Sequence, residues 1–351
     1  MFNILGMPEL KLYTVAELRE WLMHNRAAEG LSEQVIAPTR AWAIIHNPYV
    51  KDEDPVMAAI FEDGKNVAYT IAFPELIEGK RYWWFSSLWC NPTYQGNGFG
   101  LIVIGSLAEV YGVEYCLDKW GAPETVGIFT NFHHKTFYTL RYILGVQINK
   151  TTIKGKVVHM FRYIQTGLHR LGKHYSNKSY TIRYITYIDN ITYDFIKLHS
   201  GKYYFIHTQD YLNWVLHYSF SVSAPLMDFV KVKMPFFASE KIRTQLYAVQ
   251  ILDGKDIIGF YMMKQNDNGL HILYLYYNEL KKEKVFASIR DHVKCMHIHM
   301  CELEHRELAE YLSAQIYFPK NKIEKVSLSL PSSMKQPHDG ELQYGDGDGF
   351  V

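Results

Sequence analysis

The sequence has 351 residues and a mass of 41.0 kDa, enough for about two domains of ~150 residues each. Hydrophobic residues make up 48% of the chain and aromatic residues 15%, which excludes a disordered chain or a small disulfide-stapled scaffold. The 37 basic and 36 acidic side chains give a formal charge of +1, which excludes a global electrostatic attraction to nucleic acid or to membranes.

Cysteine spacing and hydropathy bear on the compartment. Cys90, Cys116, Cys295 and Cys301 show no CxxC spacing, so we expect reduced thiols, no zinc site and no other metal. The first residues lack the basic and apolar regions of a signal peptide. No apolar run approaches the ~20 residues that a membrane span needs. We therefore expect a cytoplasmic protein that makes no use of a membrane.

The first half of the chain begins with a predicted helix and hairpin. Thr14 is a suitable N-cap for a helix through AELREWLMH. The segment 56–73 predicts two strands joined at Asp63-Gly64, a dipeptide that accepts the positive φ of a tight turn. A third strand is predicted over 81–90.

A glycine-rich turn and an apolar helix over 101–111 follow the third strand. ETVGIFTN, at 124–131, then predicts a strand, and KTFYTLRYIL, at 135–144, predicts a helix. Strands feeding a central strand, turn and helix indicate an α/β fold of the mixed α+β type, with a mostly antiparallel sheet flanked by helices.

The second half repeats this order of elements. Asp253-Gly254 lies 190 residues after Asp63-Gly64, and the same shift carries the third strand onto HILYLYYNEL. A short strand, KCMHIHMCEL, and a helix, HRELAEYLSAQ, complete the series. We interpret this as two copies of one domain; chance similarity is the alternative, because such hairpin turns are common.

Three segments follow from this interpretation. The first domain is expected over 1–170 and the second over 178–335, joined by a polar stretch. Residues 336–351 are rich in Gly and Asp and have too few apolar side chains to build a core. We expect them to form a tail or to lie draped over the surface.

The glycine-rich turn QGNGFG, at 95–100, distinguishes the two halves, because the corresponding KEKVFA of the second half has no glycine. Glycines let the backbone approach a ligand, and the amides of a helix start favour an anion such as pyrophosphate. A Walker loop is excluded, since no Lys-Ser/Thr follows. A Rossmann site needs an acidic strand end about 20 residues onward; Asp118 has that spacing, but its surroundings do not predict a strand end.

The stretch LWCNPTYQGNGFG, at 88–100, resembles the acyl-CoA signature of the GNAT acyltransferase superfamily, L-x-V-x-P-x-Y followed by R/Q-x-x-G-x-G/A. Cys90 takes the usual Val position, Gln95 the R/Q position, and Gly98 and Gly100 match directly. The resemblance continues to Asn131 at the end of the next predicted strand. It covers about residues 10–150 well and the second half by order of elements, which suggests two GNAT-like domains.

The resemblance implies a donor site for acetyl-CoA or another acyl-CoA as co-substrate, without a metal. It places the CoA pyrophosphate on the main chain of Gln95, Gly96, Asn97, Gly98, Phe99 and Gly100. The pantetheine arm would pair with Leu88, Trp89 and Cys90, and Asn131 would belong to the same site. The implied reaction is direct acyl transfer, with an acetyl group favoured, to an amine or hydroxyl (class EC 2.3.1).

Tyr138 stands seven residues after Asn131, where the family places a tyrosine that protonates the leaving thiolate. Tyr142 has the family's spacing to Gly145-Val146, and both would share one face of the predicted helix, so either could reach the sulfur. Tyr138 is the favoured candidate. Core packing is the alternative for each. Cys90 has no partner histidine nearby, so a buried apolar role is favoured over a nucleophile.

The general base is left open by the sequence. The third strand holds no carboxylate, and each candidate also fits a surface or capping role; the candidates are Glu75, Glu78, Ser86, Ser87, His133 and His134.

Residues 125–188 contain ten basic side chains and no acidic one. The stretch fits a basic wall facing an anionic acceptor, or a solvated face that complements an acidic patch. Nucleic acid is not expected, because no reading module is present.

The sequence as a whole predicts an acyltransferase for a small acceptor, with saccharide and anionic acceptors both open. The second domain, without the turn, would form one wall of the acceptor groove. A non-catalytic sensor of acyl-CoA or another anion is one alternative. A Fem-type peptidyl transferase is another, although those proteins keep no CoA turn. The oligomeric state stays open.

Overall fold

The computed structural model describes residues 8–24, 36, 38–119, 121–145, 180–218, 244–266, 269–296, 298, 300–316, 318, 320–338 and 341–347. Most of the basic stretch therefore lies outside the described residues, and of its ten cations only Lys135, Arg141 and Arg183 are described.

The first half contains six strands and four helices among the described residues. They are β1 (Glu9–Thr14), α1 (Val15–His24), α2 (Pro38–Ile45), β2 (Pro55–Glu62), β3 (Lys65–Ile77), β4 (Lys80–Cys90), α3 (Phe99–Tyr111), β5 (Cys116–Lys119), α4 (Pro123–Asn131) and β6 (His134–Gly145).

The second half shows the same series in the part of the chain that is described. Its elements are β7 (Thr181–Ile185), α5 (Asn190–Leu198), α6 (Gln209–Tyr218), β8 (Thr244–Asp253), β9 (Asp256–Asn266), β10 (Gly269–Tyr277), α7 (Lys282–Cys295), β11 (Met300–Leu303), α8 (Arg306–Gln315) and β12 (Asn321–Pro331). The predicted repetition of element order is confirmed.

Local chemistry explains several elements that the sequence predicts. Thr14 and Glu17 form a capping box at the start of α1: the Glu17 amide donates to Thr14 Oγ1 over 3.2 Å, and the Thr14 amide donates to Glu17 Oε2 over 2.8 Å. Asp63 and Gly64 adopt φ of +50° and +72° between β2 and β3. Two consecutive positive φ values are those of a type I′ hairpin turn.

Two predicted elements were wrong: 124–131 is the helix α4, and 135–144 lies in the strand β6. The β-branched and aromatic residues of ETVGIFTN indicate a strand, but Pro123 at the helix start and Glu124 in the first turn favour a helix. That helix buries Thr125 and Phe129 on one face. β6 is long and lies between two other strands, so sheet pairing overrides its helical periodicity.

One twelve-stranded sheet runs through the described residues, in the order β1-β2-β3-β4-β5-β12-β6-β11-β10-β9-β8-β7. The counterparts are β1 and β7, β2 and β8, and so on to β6 and β12. Exchanging them gives the same order read from the other edge of the sheet, so the sheet has an internal pseudo-two-fold axis. The last strand of each half pairs into the other: β12 with β5 at Leu328↔Lys119, and β6 with β11 at Tyr142↔Leu303. The central pair β6·β12 is antiparallel. Each half of the sheet is thus completed by the other.

The core that lies between the halves is built from both of them. Trp84 and Leu117 of the first half belong to the same buried cluster as Tyr211, Tyr274 and Leu328. A hydrogen bond of 2.7 Å from the indole nitrogen of Trp214 to the Ala43 carbonyl also joins the halves.

The C-terminal segment, residues 341–347, enters this core. The side chains of Leu342, Tyr344 and Asp346 are all buried. The expectation of an exposed tail is therefore wrong for these residues, although 336 and 338 are exposed. The buried polar groups of the segment find partners elsewhere in the fold, which composition alone does not reveal.

None of the helices in the described part of the chain has the length and apolarity needed to cross a membrane.

Candidate functional site

The strands β4 and β5 separate at the centre of the first half. They pair in parallel at Trp83↔Cys116 and Phe85↔Asp118, and β5 ends one residue later at Lys119. β4 continues to Cys90 without β5 beside it. The pair therefore splays apart at its carboxyl end and leaves an opening in the sheet. The expectation that Asp118 does not lie at a strand end was wrong.

A β-bulge in β4 lines this opening. Ile71 pairs with Ser86 and Tyr69 pairs with Trp89, so Ser87 and Leu88 together oppose one residue of β3. Ser87 adopts φ of +56°, a conformation that costs energy for a residue with a side chain. A bulge removes the extra residue from the ladder and re-aims the main chain. Here the bulge lies in the part of β4 that has no β5 beside it.

The glycine-rich turn stands at the mouth of the opening. Gly96 and Gly98 have φ of +90° and +78°, and a Cβ added at either position would meet no atom within 4 Å. A Cβ at Gly100 would lie 3.7 Å from Leu88, so the turn touches the bulge. α3 begins directly after Gly98. Its first amides have no intrahelical partner and open space lies before them, as an anion would require.

A cavity of about 240 Å³ lies between the two strands, Ile104 in the middle of α3 and the start of α4. Its polar wall is made of Thr70, Ser86, Ser87, Asp118, Lys119 and Thr125. Asp118 is buried and supplies the one carboxylate among the described lining residues. Arg40 of α2 donates to Ser87 Oγ, so this hydrogen bond connects α2 to the wall of the cavity.

Lys119 connects this cavity to the second half. Its ammonium group is fully buried, lies 3.0 Å from Glu304 Oε1 and donates to the Gln343 carbonyl over 2.7 Å. Burial raises the pKa of Glu304, although Lys119 opposes that effect. Thr139 donates to the other oxygen of Glu304 over 3.2 Å. The pair spans the centre of the sheet, where the two halves meet.

His207 holds the C-terminal segment against the first half. Its ring lies between Glu75 and Asp346, with Nε2 2.9 Å from Asp346 Oδ1 and Nδ1 hydrogen-bonded to Glu75. Trp84 donates to the second oxygen of Glu75 over 2.7 Å. Burial alone would lower the pKa of His207, but the two carboxylates raise it to about 10. The imidazole is therefore positively charged at neutral pH.

The second half has the same splay and bulge, but its opening is filled. β10 and β11 pair in parallel up to His271↔Glu302, and Leu273 is the bulged residue. The Gly345 amide donates to the Leu273 carbonyl over 2.9 Å, and Gln343 Oε1 accepts from the Leu275 amide over 2.7 Å. Only about 10 Å³ remains there.

The structure brings together most of the predicted donor site. Leu88, Trp89 and Cys90 lie on β4 beyond the splay, next to the turn at 95–100. Asn131 ends α4, whose opposite end lines the cavity. Tyr138 and Tyr142 lie on β6 and line a different cavity, with exposed fractions of 61% and 8%.

The structure also separates the candidate bases. Glu75 is engaged by His207 and Trp84, and Glu78 lies in the β3–β4 turn, at the far end of β4 from the splay. His134 contacts the Cys116 carbonyl at 2.8 Å, and burial lowers its pKa.

Of the remaining candidates, His133 is exposed, whereas Ser86 and Ser87 line the cavity. Burial raises the pKa of Cys90, which argues against a thiolate nucleophile. The sequence analysis did not predict that Asp118 and Lys119 line the cavity. The signal for it is the short run CLDK at 116–119, which forms the strand β5 and ends shortly before Gly121.

No protein-family model and no curated protein matches the sequence. Solved structures, in contrast, superpose on the fold of this chain. An N-myristoyltransferase from Saccharomyces cerevisiae with bound myristoyl-CoA superposes with a TM-score of 0.53 at 12% identity, over 99% of this chain and 84% of the other. The chain has a tandem GNAT fold.

A Pyrococcus horikoshii protein inferred to be an acetyltransferase shares this GNAT fold, with a TM-score of 0.50 at 12% identity over 98% of this chain and 96% of the other. The predicted resemblance to the GNAT superfamily and the predicted fold class are confirmed at the level of the fold.

Proposed function

We propose that this protein is an acyltransferase that binds acyl-CoA in the opening between β4 and β5. The observation that carries the proposal is the convergence of three features: the splayed strands, the glycine turn at their mouth, and a polar cavity behind it. In this proposal the first half, residues 1–170, is catalytic. The second half, 178–335, is a degenerate copy whose opening the chain itself occupies.

The main chain around Ser87 would stabilise the reacting carbonyl. The bulge places Ser87 and Leu88 in the wall of the cavity, and an amide aimed at a developing oxyanion in a site that excludes water lowers the barrier. The first amides of α3 would meanwhile hold the pyrophosphate. An acetyl group is our proposal for the acyl group.

Asp118 would accept the proton of the acceptor. As the acceptor nitrogen or oxygen bonds to the carbonyl carbon, the carbon–sulfur bond breaks, the acceptor's proton passes to the Asp118 carboxylate, and CoA leaves as a thiolate. The carboxylate lies in the cavity wall beside Ser86 and Thr125, within the space that the acceptor must enter. Tyr138 and Tyr142 line the neighbouring cavity and not the donor cavity. The protonation of the thiolate by either of them therefore stays a prediction.

The acceptor is proposed to be a small molecule handled in the cytoplasm. The free thiols of Cys90, Cys116 and Cys301 fit a reducing compartment.

Calorimetric titration with CoA, acetyl-CoA and myristoyl-CoA tests the donor site. We expect saturable binding that Gly98→Glu abolishes, since the new carboxylate would stand where the pyrophosphate binds. Gly201→Glu is the matched control, because Gly201 is exposed in the second half with nothing within 4 Å of a built Cβ. Binding that survives Gly98→Glu would contradict the donor site.

Release of free CoA thiol in the presence of amines and alcohols tests the transfer. Binding without thiol release from any acceptor would favour the alternative of a ligand sensor. Tighter binding of myristoyl-CoA than acetyl-CoA would overturn the proposed acetyl group.

A further inference from the structure

A second cavity, of about 330 Å³, opens in the second half of the GNAT fold. β6 and β11 pair only as far as Tyr142↔Leu303. Beyond that point β11 turns into α8, whereas β6 runs on through Phe137, and the cavity occupies the space between them. Its volume is at the lower end of the range for small-molecule sites, so it suits a ligand of one or two rings.

Aromatic rings form one wall of this cavity. Phe137, Tyr138, Tyr142 and Tyr277 all line it, and Tyr138 is 61% exposed at its rim. An exposed ring on a central strand offers a flat apolar face with a polar edge. Such a face packs well against the C–H groups of a ring-shaped ligand, and the hydroxyl at its edge offers a polar contact.

Charged side chains form the other wall, and each already has an opposite charge. Lys202 lies 2.6 Å from Glu279, and Glu307 lies 3.2 Å from Lys282. Glu304 is paired with Lys119 at 3.0 Å. An ionic ligand would have to displace one of these partners. A hydroxyl group would not, because a carboxylate that is already paired keeps lone pairs for further donors.

His305 adds a neutral polar group. Its Nδ1 accepts the Leu308 amide at 3.2 Å, so the neutral ring carries its proton on Nε2 and donates to the Tyr277 hydroxyl over 3.2 Å. Burial, followed by Lys202, lowers the pKa of His305 to about 4. The site therefore gains no positive charge from this residue at neutral pH.

We propose that the second cavity binds a neutral saccharide unit, which belongs to the acceptor. Aromatic faces, compensated ion pairs and a neutral histidine together suit hydroxyl-rich rings better than anions or cations. Glu304 lines this cavity and Lys119 lines the donor cavity, so one buried ion pair lies between the two spaces. The assignment as acceptor rests on the proposed function, whereas the binding of a saccharide does not.

Calorimetry and saturation-transfer NMR on the full chain test this inference. The probes are glucose, galactose, N-acetylglucosamine and cellobiose, with glucose 6-phosphate and glucosamine as charged counterparts. We expect at least one neutral sugar to bind saturably and no charged counterpart to bind better. Tyr138→Ala should weaken binding about tenfold, whereas Tyr138→Phe, which keeps the ring, should largely preserve it.

Tyr187→Ala is the matched control, because Tyr187 is 54% exposed and does not line this cavity. Three outcomes would overturn the inference: no saturable sugar binding, tighter binding of glucose 6-phosphate than of any neutral sugar, or equal binding by Tyr138→Ala and the wild type. Gly98→Glu should keep sugar binding. Sugar binding without CoA binding would refute the proposed function alone, and CoA binding without sugar binding would refute this inference alone.

Discussion

Gly345 donates its amide hydrogen to the carbonyl oxygen of Leu273 across 2.9 Å, and Leu273 is the second-half counterpart of Ser87, the bulged residue at the donor cavity. The C-terminal segment thus lies against the strand in the second half where the first half keeps an open space. The pseudo-symmetric sheet has two splayed openings, and the chain itself fills one of them.

Replacing Gly345 tests how closely the segment is packed. A Cβ there would lie 2.5 Å from the ring of Tyr274, which is fully buried. We expect Gly345→Ala to destabilise the protein by about 1–3 kcal/mol, because a tight core must shift to admit it. Chemical denaturation measures the change. Gly201→Ala is the control, since its Cβ would meet nothing within 4 Å; equal stability of the two variants would contradict the packing.

The Lys119–Glu304 pair predicts a characteristic double-mutant cycle. Both side chains are fully buried, so Lys119→Met or Glu304→Met alone should cost about 3–5 kcal/mol by leaving a lone buried charge. The double variant should recover much of that loss, because two apolar side chains replace the pair. Free energies of unfolding for the four proteins provide the measurement. Additive losses would show that the two groups act independently.

His207 predicts a specific dependence of stability on pH. Its pKa is about 10 in the folded protein and about 6.5 in an unfolded chain. Its contribution is thus fully present below pH 6.5 and is lost as the pH rises towards 10. The melting temperature of the wild type should fall over that window, and the melting temperature of the His207→Gln variant should fall less.

At pH 6 the His207→Gln variant should be less stable than the wild type by about 3–5 kcal/mol, because Glu75 and Asp346 stay buried without their cation. His338→Gln, at an exposed position, should follow the wild type. Parallel pH curves for all three proteins would contradict the charged state of His207.

Local chemistry made much of the fold predictable. The Thr14 cap, the Asp63-Gly64 turn and the glycines at 96 and 98 each require a specific backbone conformation, and the structure has it. The turn next to a strand end was also enough to predict the fold family. These features depend on residues that are neighbours in sequence.

Non-local pairing explains what the sequence did not reveal. β6 has the composition of a helix or a strand, and its partners, β11 and β12, lie far along the chain. The polar C-terminal segment becomes buried because His207 and Lys119 meet Asp346 and the Gln343 carbonyl. Because β12 lies between β5 and β6, Tyr138 on β6 lies away from the donor turn. No pattern within the first half could show this pairing.

Asp118 carries the prediction that bears most directly on catalysis. If it accepts the acceptor's proton, Asp118→Asn should lower kcat by about 10²–10⁴-fold. The Kd for CoA should stay the same, because the turn at 95–100 is untouched. Initial rates of thiol release with one acceptor, and calorimetry with CoA, separate the two effects.

Glu124→Gln is the matched control for Asp118→Asn. Glu124 lies on α4 close to the cavity, but it is exposed and does not line it. Its variant should keep the wild-type rate, and the melting temperature of each variant would show whether the fold is intact. A folded Asp118→Asn variant with a full rate would show that another group accepts the proton; the other polar residues of that wall are Thr70, Ser86, Ser87, Lys119 and Thr125.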